Sequence, residues 1–528
     1  MIIFFSAEWN CPMSSITKLY SKSFVATLLI LFMFLTLSGL NNFSSVMSEP
    51  RISDPKLKVE TVAQGLEYPT SMAFLGPNDI LVLEKNNGQV RRVVNNTLLP
   101  EPLIDLKVAN AWERGLLGIA VSNTGTNNSD KKRTSFSSIH PNENAQEYSG
   151  EGGTIYVFLY FTRAEFAERD GGDSCPKPNL CQNNSLIDGN SLANYLYRYE
   201  FRDDRLVDPK LLLKIPATPN ADHNGGAIAV GDDSNVYVII GDGDGCFAGF
   251  CHENLEESVL NSLRSNFKNG TWPDGRGGIL RFTQEGNTIQ ADDKITEKQK
   301  GREIEGEEGI LGDIHPLNKY YAYGIRNSFG LDFDPTTGSL WDTENGAGFG
   351  DEINLVEPGF NSGWAKMQGI WPVSNYTATP LWKGYFSSNI TKATEKDMLV
   401  NFSGKGKYSA PEFTWNIPVA PTALKFYSSD KLGKQYENDM FVAGFLSGNI
   451  YHFDLTQNRT ALRVDGALKD RIANNTKELE DVIFVRGFGY GIEGGGVTDI
   501  EEGPYDGYLY FISHLHGKLY RVTPLDSN

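Results

Sequence analysis

The chain has 528 residues, 40% of them hydrophobic and 22% charged, an ordinary globular composition with ample length for a large core. Lysine and arginine number 48 against 66 acidic residues, and the resulting net charge of -18 argues against nucleic acid as a partner. The 54 glycines punctuate many short apolar segments, and aromatic residues make up 12%, which predicts an all-β fold.

The N-terminus reads as a targeting segment. Lys18 and Lys22 precede an apolar run over residues 24–40, followed by small and polar residues. This is the pattern of a signal peptide or a short signal anchor, and both cleaved and membrane-anchored forms are compatible with it. Residues 41–55 read as a polar linker, and one folded domain spans 56–528. N-x-S/T sequons recur along the chain from Asn42 to Asn474, as expected of a glycosylated exterior. Four of the five cysteines form two close pairs, Cys175/Cys181 and Cys246/Cys251. Outside the cell these predict two small-loop disulfides; metal binding is the competing reading, without a CxxC to support it. An extracellular or cell-surface location follows.

From residue 56 onward one pattern recurs: an apolar strand, a Gly/Asn/Asp turn, a second apolar strand, another turn and a third strand. The copies begin near residues 70, 116, 226, 329, 422 and 497. Their spacing predicts a six-bladed β-propeller, with the strand at 56–62 completing the last blade. A β-sandwich explains the repeated turn-strand units less well. The segments 123–153, 170–191 and 246–273 read as loops between strands.

The third copy carries D-H-N-G-G at 222–226 and I-I-G-D at 239–242. Strands over 227–230 and 236–240, joined by turn residues 231–235, make a hairpin. The residue before its first strand and the residue after its second lie at the same end. His223 and Asp242 are therefore expected together, a carboxylate orienting an imidazole, which is how a general base is built. A surface histidine with turn aspartates is the bland alternative.

Further motifs follow in order. They are E-R-G-L-L-G-I-A (113–120), G-I-R-N-S-F-G-L (324–331), E-N-G-A-G-F-G-D-E-I-N-L (344–355), G-F-N-S-G-W (359–364) and P-V-A-P-T (418–422). With these the chain, from about residue 56 to 522, resembles the soluble quinoprotein glucose and sorbosone dehydrogenases and the related aldose sugar dehydrogenases. The resemblance implies a six-bladed propeller that oxidises the anomeric carbon of an aldose to a lactone. Pyrroloquinoline quinone would accept the hydride, calcium would polarise the quinone, and an external acceptor would take the electrons onward. It implies His223 as the base, Asp242 as its orienting partner, and Asp222 and Glu113 as sugar contacts. Arg326 and Asn327 would lie over the quinone. Gly346 and Ala347 would offer carbonyls to the cofactor's calcium, and Asp351 with Glu352 resembles a second calcium site of hard oxygen ligands.

The chain also departs from the family pattern. Leu446, Gly495 and Val497 stand where the family places cations for the cofactor's three carboxylates. Phe329 replaces a glutamine and Pro418 a threonine. Arg486 or Lys425 are possible substitutes. Two other readings therefore stand beside the dehydrogenase: an extracellular binding propeller without quinone, and a calcium-dependent lactonase. The lactonase requires a central carboxylate cluster that the sequence does not display.

Overall fold

Six sheets, antiparallel but for short parallel edge pairings in two of them, each begin on a strand that lies beside the first strand of the next. The computed structural model describes residues 50–124, 153–164, 170–171, 192–217, 221–243, 273–289, 309–364, 366–372, 399–488 and 496–525. The six first strands are Pro69–Gly76, Leu116–Asn123, Ile228–Val230, Ser328–Phe333, Pro421–Tyr427 and Val497–Glu502. They neighbour one another in a closed cycle, the sixth returning to the first. The chain is all-β in a propeller arrangement. Helical structure among the described residues is confined to short 3-10 turns such as Leu317–Lys319 and Thr476–Val482.

The strand sequences explain the stacking. Second strands such as Val236–Ile240 (V-Y-V-I-I) and Leu509–Ser513 are buried along their whole length, because both faces of each sheet pack on a neighbouring sheet. Third strands lie farther out and mix buried with partly exposed positions, as in Gln89–Val94. A separate apolar cluster fills each gap between sheets. Phe441, Ile450 and Val485 meet Ile500, Phe511 and Tyr520 between the fifth and sixth sheets. Val62, Met72 and Val82 meet Ile512 and Leu519 between the sixth and first. The strand Leu57–Gln64 pairs antiparallel with Lys518–Pro524, so the two ends of the domain close one sheet.

Several strands differ from the sequence expectation. Arg51–Ile52, within the segment read as linker, pairs with Ile483–Arg486 at the edge of the fifth sheet. The second sheet has a fourth strand, Arg205–Pro216, that the sequence reading left out. Its Pro209 sits at a register shift in this outermost strand, a place where the missing N–H is tolerated. The third sheet gains Tyr320–Tyr323 and then two parallel edge pairings, Phe360–Asn361 and Lys407–Tyr408.

The apolar run 24–40 and all four paired cysteines lie outside the described residues. Among the described residues no helix is long and apolar enough to cross a membrane.

Candidate functional site

The hairpin at 228–240 brings His223 and Asp242 together as its register requires. Ile228 pairs with Val238 and Val230 with Val236, which leaves both flanking residues at one end. His223 Nδ1 and Asp242 Oδ1 are 2.5 Å apart, and both side chains are buried. The ionised aspartate is an acceptor, so Nδ1 carries the shared proton and Nε2 keeps its lone pair. Gly241 is required here because a Cβ would lie 2.3 Å from the His223 carbonyl oxygen.

Three further elements lock this pair. Trp364 Nε1 donates to Asp242 Oδ2 at 2.8 Å, and the Asp242 N–H donates to the Arg326 carbonyl at 2.8 Å. The His223 N–H donates to Glu113 Oε2 at 2.6 Å, and Asn327 Nδ2 reaches both oxygens of Glu113 at 3.2 Å. Burial pushes the Glu113 carboxyl above its usual range, while the His223 N–H and the Arg326 guanidinium pull it back. Trp364 lies in a motif noted in the sequence but was given no role there. Its indole also faces the Arg326 guanidinium, 5.4 Å from the ring centre.

These residues face a cavity of about 640 Å³, a size typical of small-molecule sites. Glu113, Asp222, His223, Arg326, Asn327, Gly346, Ala347 and Asp351 all line it. Leu117, Phe329, Leu331, Leu424 and Leu446 give it a largely apolar wall. Glu352, the remaining candidate ligand, is not on this wall.

Asp351 and Glu352 are adjacent strand residues, and their side chains serve two separate networks, as the pleat dictates. They were expected together at one calcium site; here their side chains have separate hydrogen-bond partners. Asp351 accepts N–H bonds from Gly346 (2.7 Å), Val419 (2.7 Å) and Ala420 (2.9 Å), so it clamps the 346–350 loop to the fifth sheet. Burial pushes its carboxyl up to about 6, with those N–H groups pulling it back. Glu352 belongs to a second network with Asp342 and Glu344. Glu344 pairs with Glu352 and Asp342 with Asn354 across two strands. Ser362 Oγ donates to Glu344 at 2.6 Å and to Glu352 at 3.1 Å. Burial pushes Glu352 up to about 8 and Asp342 up to about 7, and burial with the Glu352 charge holds Glu344 well above its usual range. Asp342 Oδ1, Asn354 Oδ1 and Gln368 Oε1 are buried oxygens with no hydrogen-bond partner. The sequence carried this signal as D-T-E and E-I-N, acceptors alternating at the strand period.

The cations also fall differently from the sequence expectation. Arg486 pairs with Glu480 at 3.0 Å and is not among the cavity residues. Lys425 does line the cavity, with its ammonium 3.0 Å from Glu501 and 3.4 Å from Asp332. Burial works against that charge, but the two carboxylates outweigh it and raise Lys425 above its ordinary value. A carboxylate cluster thus does exist beside the cavity, with a lysine ammonium among its members. Lys85 is a third cation on the wall, which the sequence reading did not single out.

Comparison with known proteins agrees with this fold. The family model described as "Glucose / Sorbosone dehydrogenase" matches residues 180–521. An uncharacterised protein of Synechocystis is 24% identical over 89% of this chain and 87% of its own length. The aldose sugar dehydrogenase YliI of Escherichia coli is 28% identical over 48% of this chain and 58% of that enzyme. Among solved structures, the soluble aldose sugar dehydrogenase of E. coli in its apo form superposes with a TM-score of 0.54. That match has 19% identity and covers 89% of this chain and all of that one. A Thermus thermophilus protein described as a putative glucose dehydrogenase gives 0.52 at 24% identity, over 88% of this chain and 99% of its own. The chain belongs to the glucose/sorbosone dehydrogenase family.

Proposed function

We propose that this protein is an exported, six-bladed sugar dehydrogenase that oxidises the anomeric carbon of an aldose to a lactone with pyrroloquinoline quinone and calcium. The observation that carries the reading is the buried His223–Asp242 pair, fixed by Trp364 and opening on the cavity. The six-blade count is supported by the closed cycle of six first strands. Export is supported by the basic residues ahead of the apolar run, the sequons and the cysteine pairs. Mass spectrometry of the non-reduced protein is expected to find Cys175 linked to Cys181 and Cys246 to Cys251. Four free thiols would contradict this.

The apolar wall of the cavity suits a fused ring, and Lys85 and Arg326 bring positive charge to it, whereas Lys425 is already held by Asp332 and Glu501. Arg326 Nε, Asn327 Oδ1 and Asn345 Oδ1, on residues of the cavity wall, are buried without hydrogen-bond partners. Asp342, Glu344 and Glu352 offer buried hard oxygens of the kind calcium takes, but their carboxylate oxygens do not all lie within 4.8 Å of one another. At the quinone side the Gly346 carbonyl accepts from Arg326 Nη1 at 3.2 Å, so a calcium there would share that oxygen with the guanidinium.

When bound, the quinone supplies a two-electron acceptor for the hydride from C1 of the sugar. His223 Nε2 takes the C1 hydroxyl proton, and Asp242 stabilises the resulting imidazolium. Asn327 and the His223 N–H hold Glu113 in place on the cavity wall beside the base. Arg326 presents a positive charge where negative charge gathers. An external acceptor receives the electrons.

Calorimetric titration with the quinone plus calcium tests the reading. Binding is expected, and Arg326→Ala should weaken it by about tenfold or more, the loss of one charge-assisted contact. Equal binding by the variant would place the quinone elsewhere.

A further inference from the structure

Outside the cavity, the fifth sheet brings an imidazole and two carboxylates onto one face. Its second and third strands, Asp439–Gly444 and Asn449–Leu455, pair with Met440 opposite Phe453 and Phe441 opposite His452, so Asp439 stands opposite Asp454. His452 and Asp454 are two apart on one strand, and all three side chains therefore point to the same side. His452 Nε2 lies 2.9 Å from Asp439 Oδ2 and 3.7 Å from Asp454 Oδ1. Among the described residues, this is the one trio of histidine, cysteine or acidic side chains whose ligand atoms all lie within 4.8 Å of one another. None of the three lines the cavity. Asp439 pairs with Tyr427, the last residue of the sheet's first strand, whereas Pro418, Ala420 and Thr422 at the other end of that strand form the cavity wall.

Packing fixes the imidazole. Tyr436 meets the ring edge-on with centres 5.0 Å apart, and the Phe441 ring lies at 5.1 Å. The Tyr436 hydroxyl in turn donates to Asp54 Oδ2 at 3.0 Å. The three side chains are partly buried, from 15% exposed at Asp439 to 33% at Asp454, so an ion reaches them from solvent while much of its shell is protein. Arg463, opposite Asp454 on the next strand, pairs with Asp454 Oδ2. Its own side chain is 66% exposed, and an ion pair so open to water is weak and readily displaced.

We propose that Asp439, His452 and Asp454 bind a divalent transition-metal ion of the zinc type, which staples the outer strands of the fifth sheet. The site is independent of the sugar-dehydrogenase reading above. Two ligand atoms on one tetrahedral zinc stand roughly 3.4 Å apart, for bonds of about 2.1 Å. The observed 2.9 and 3.7 Å bracket that spacing. An imidazole nitrogen beside two carboxylates favours zinc over calcium, which takes an all-oxygen shell of higher coordination number. Three protein ligands leave the fourth position to water. The ion takes Nε2 through its lone pair, so binding displaces the proton that Nε2 shares with Asp439. The strand carrying His452 also pairs with Ile483–Arg486, to which Arg51–Ile52 is joined. The staple thus holds the sheet onto which the N-terminal strand docks.

The test is calorimetric titration with zinc of protein freed of transition metals and supplied with excess calcium. His452→Gln, Asp454→Asn and Arg463→Ala are measured beside the wild type. The wild type is expected to bind zinc, and His452→Gln and Asp454→Asn should each weaken that binding by about tenfold or more, the loss of one ligand. Arg463→Ala should bind at least as tightly, because the guanidinium no longer competes for Asp454. Asp454 is the most exposed of the three, so its variant keeps the test open if His452→Gln does not fold. No zinc binding by the wild type, or zinc binding that Asp454→Asn and a folded His452→Gln leave unchanged, would overturn the site.

Discussion

Replacing His223 with alanine is expected to lower sugar turnover by about 10²–10⁴-fold, the usual contribution of a positioned general base. The size follows from how much of the site exists to hold this ring. Asp242 binds Nδ1, Trp364 fixes Asp242, and Glu113 binds the His223 backbone. The backbone itself sits at positive φ, held by the Gly243 N–H on the His223 carbonyl at 3.3 Å. The Glu113 and Gly243 contacts use only the backbone of residue 223 and survive the substitution, so the loss should appear in kcat rather than in folding. Asp242→Asn should cost less, because the imidazole remains but its orientation and charge compensation weaken. Steady-state kinetics with circular dichroism as a folding control separate the two effects. A variant His223→Ala within threefold of the wild type would remove the base assignment.

Chelation is expected to lower the melting temperature by roughly 3–6 °C, the scale set by losing a ligand present at a hundred to a thousand times its Kd. Asp342, Glu344 and Glu352 are all buried, and burial drives each toward its neutral form. Three carboxyl groups in one buried network are costly without a cation, and the unpaired oxygens of Asp342, Asn354 and Gln368 add to that cost. A bound calcium would answer both by drawing these carboxylate oxygens, which do not all lie within 4.8 Å of one another, onto one ion. Glu352→Gln removes one anionic ligand while keeping its size, so this variant should lose most of its response to chelator. Calorimetric melting with and without chelator measures it. A melting curve that chelator leaves unmoved in the wild-type protein would rule out the assignment.

What the sequence displayed was mostly what neighbours along the chain decide. The His223–Asp242 pair was legible because the turn at 231–235 and two short apolar strands fix which ends meet. The repeats were legible because the first strands, except Leu116–Asn123 with its partner Ile155–Ala164, are followed closely by their hairpin partners. Trp364 reaches Asp242 from 122 positions away, and no local pattern announces such a contact. Lys425 with Asp332 and Glu501 gathers residues of three different sheets, so the cluster exists only once the sheets are placed. Asp351 and Glu352 were different: they were joined as a site by resemblance to the family, although the strand period separates neighbours to opposite faces. Applied to residues 342–344 and 352–354, that same period would have found the carboxylate network. The strand Arg205–Pro216 escaped because Pro209 and its charged neighbours hide the apolar alternation of an edge strand.

Sugar-dependent dye reduction by the protein reconstituted with pyrroloquinoline quinone and calcium tests the central claim most directly. The account predicts dye reduction with at least one aldose, lactone as the product, and loss of both in His223→Ala. No dye reduction across a panel of aldoses and reducing oligosaccharides, from protein shown by titration to hold the quinone, would contradict it.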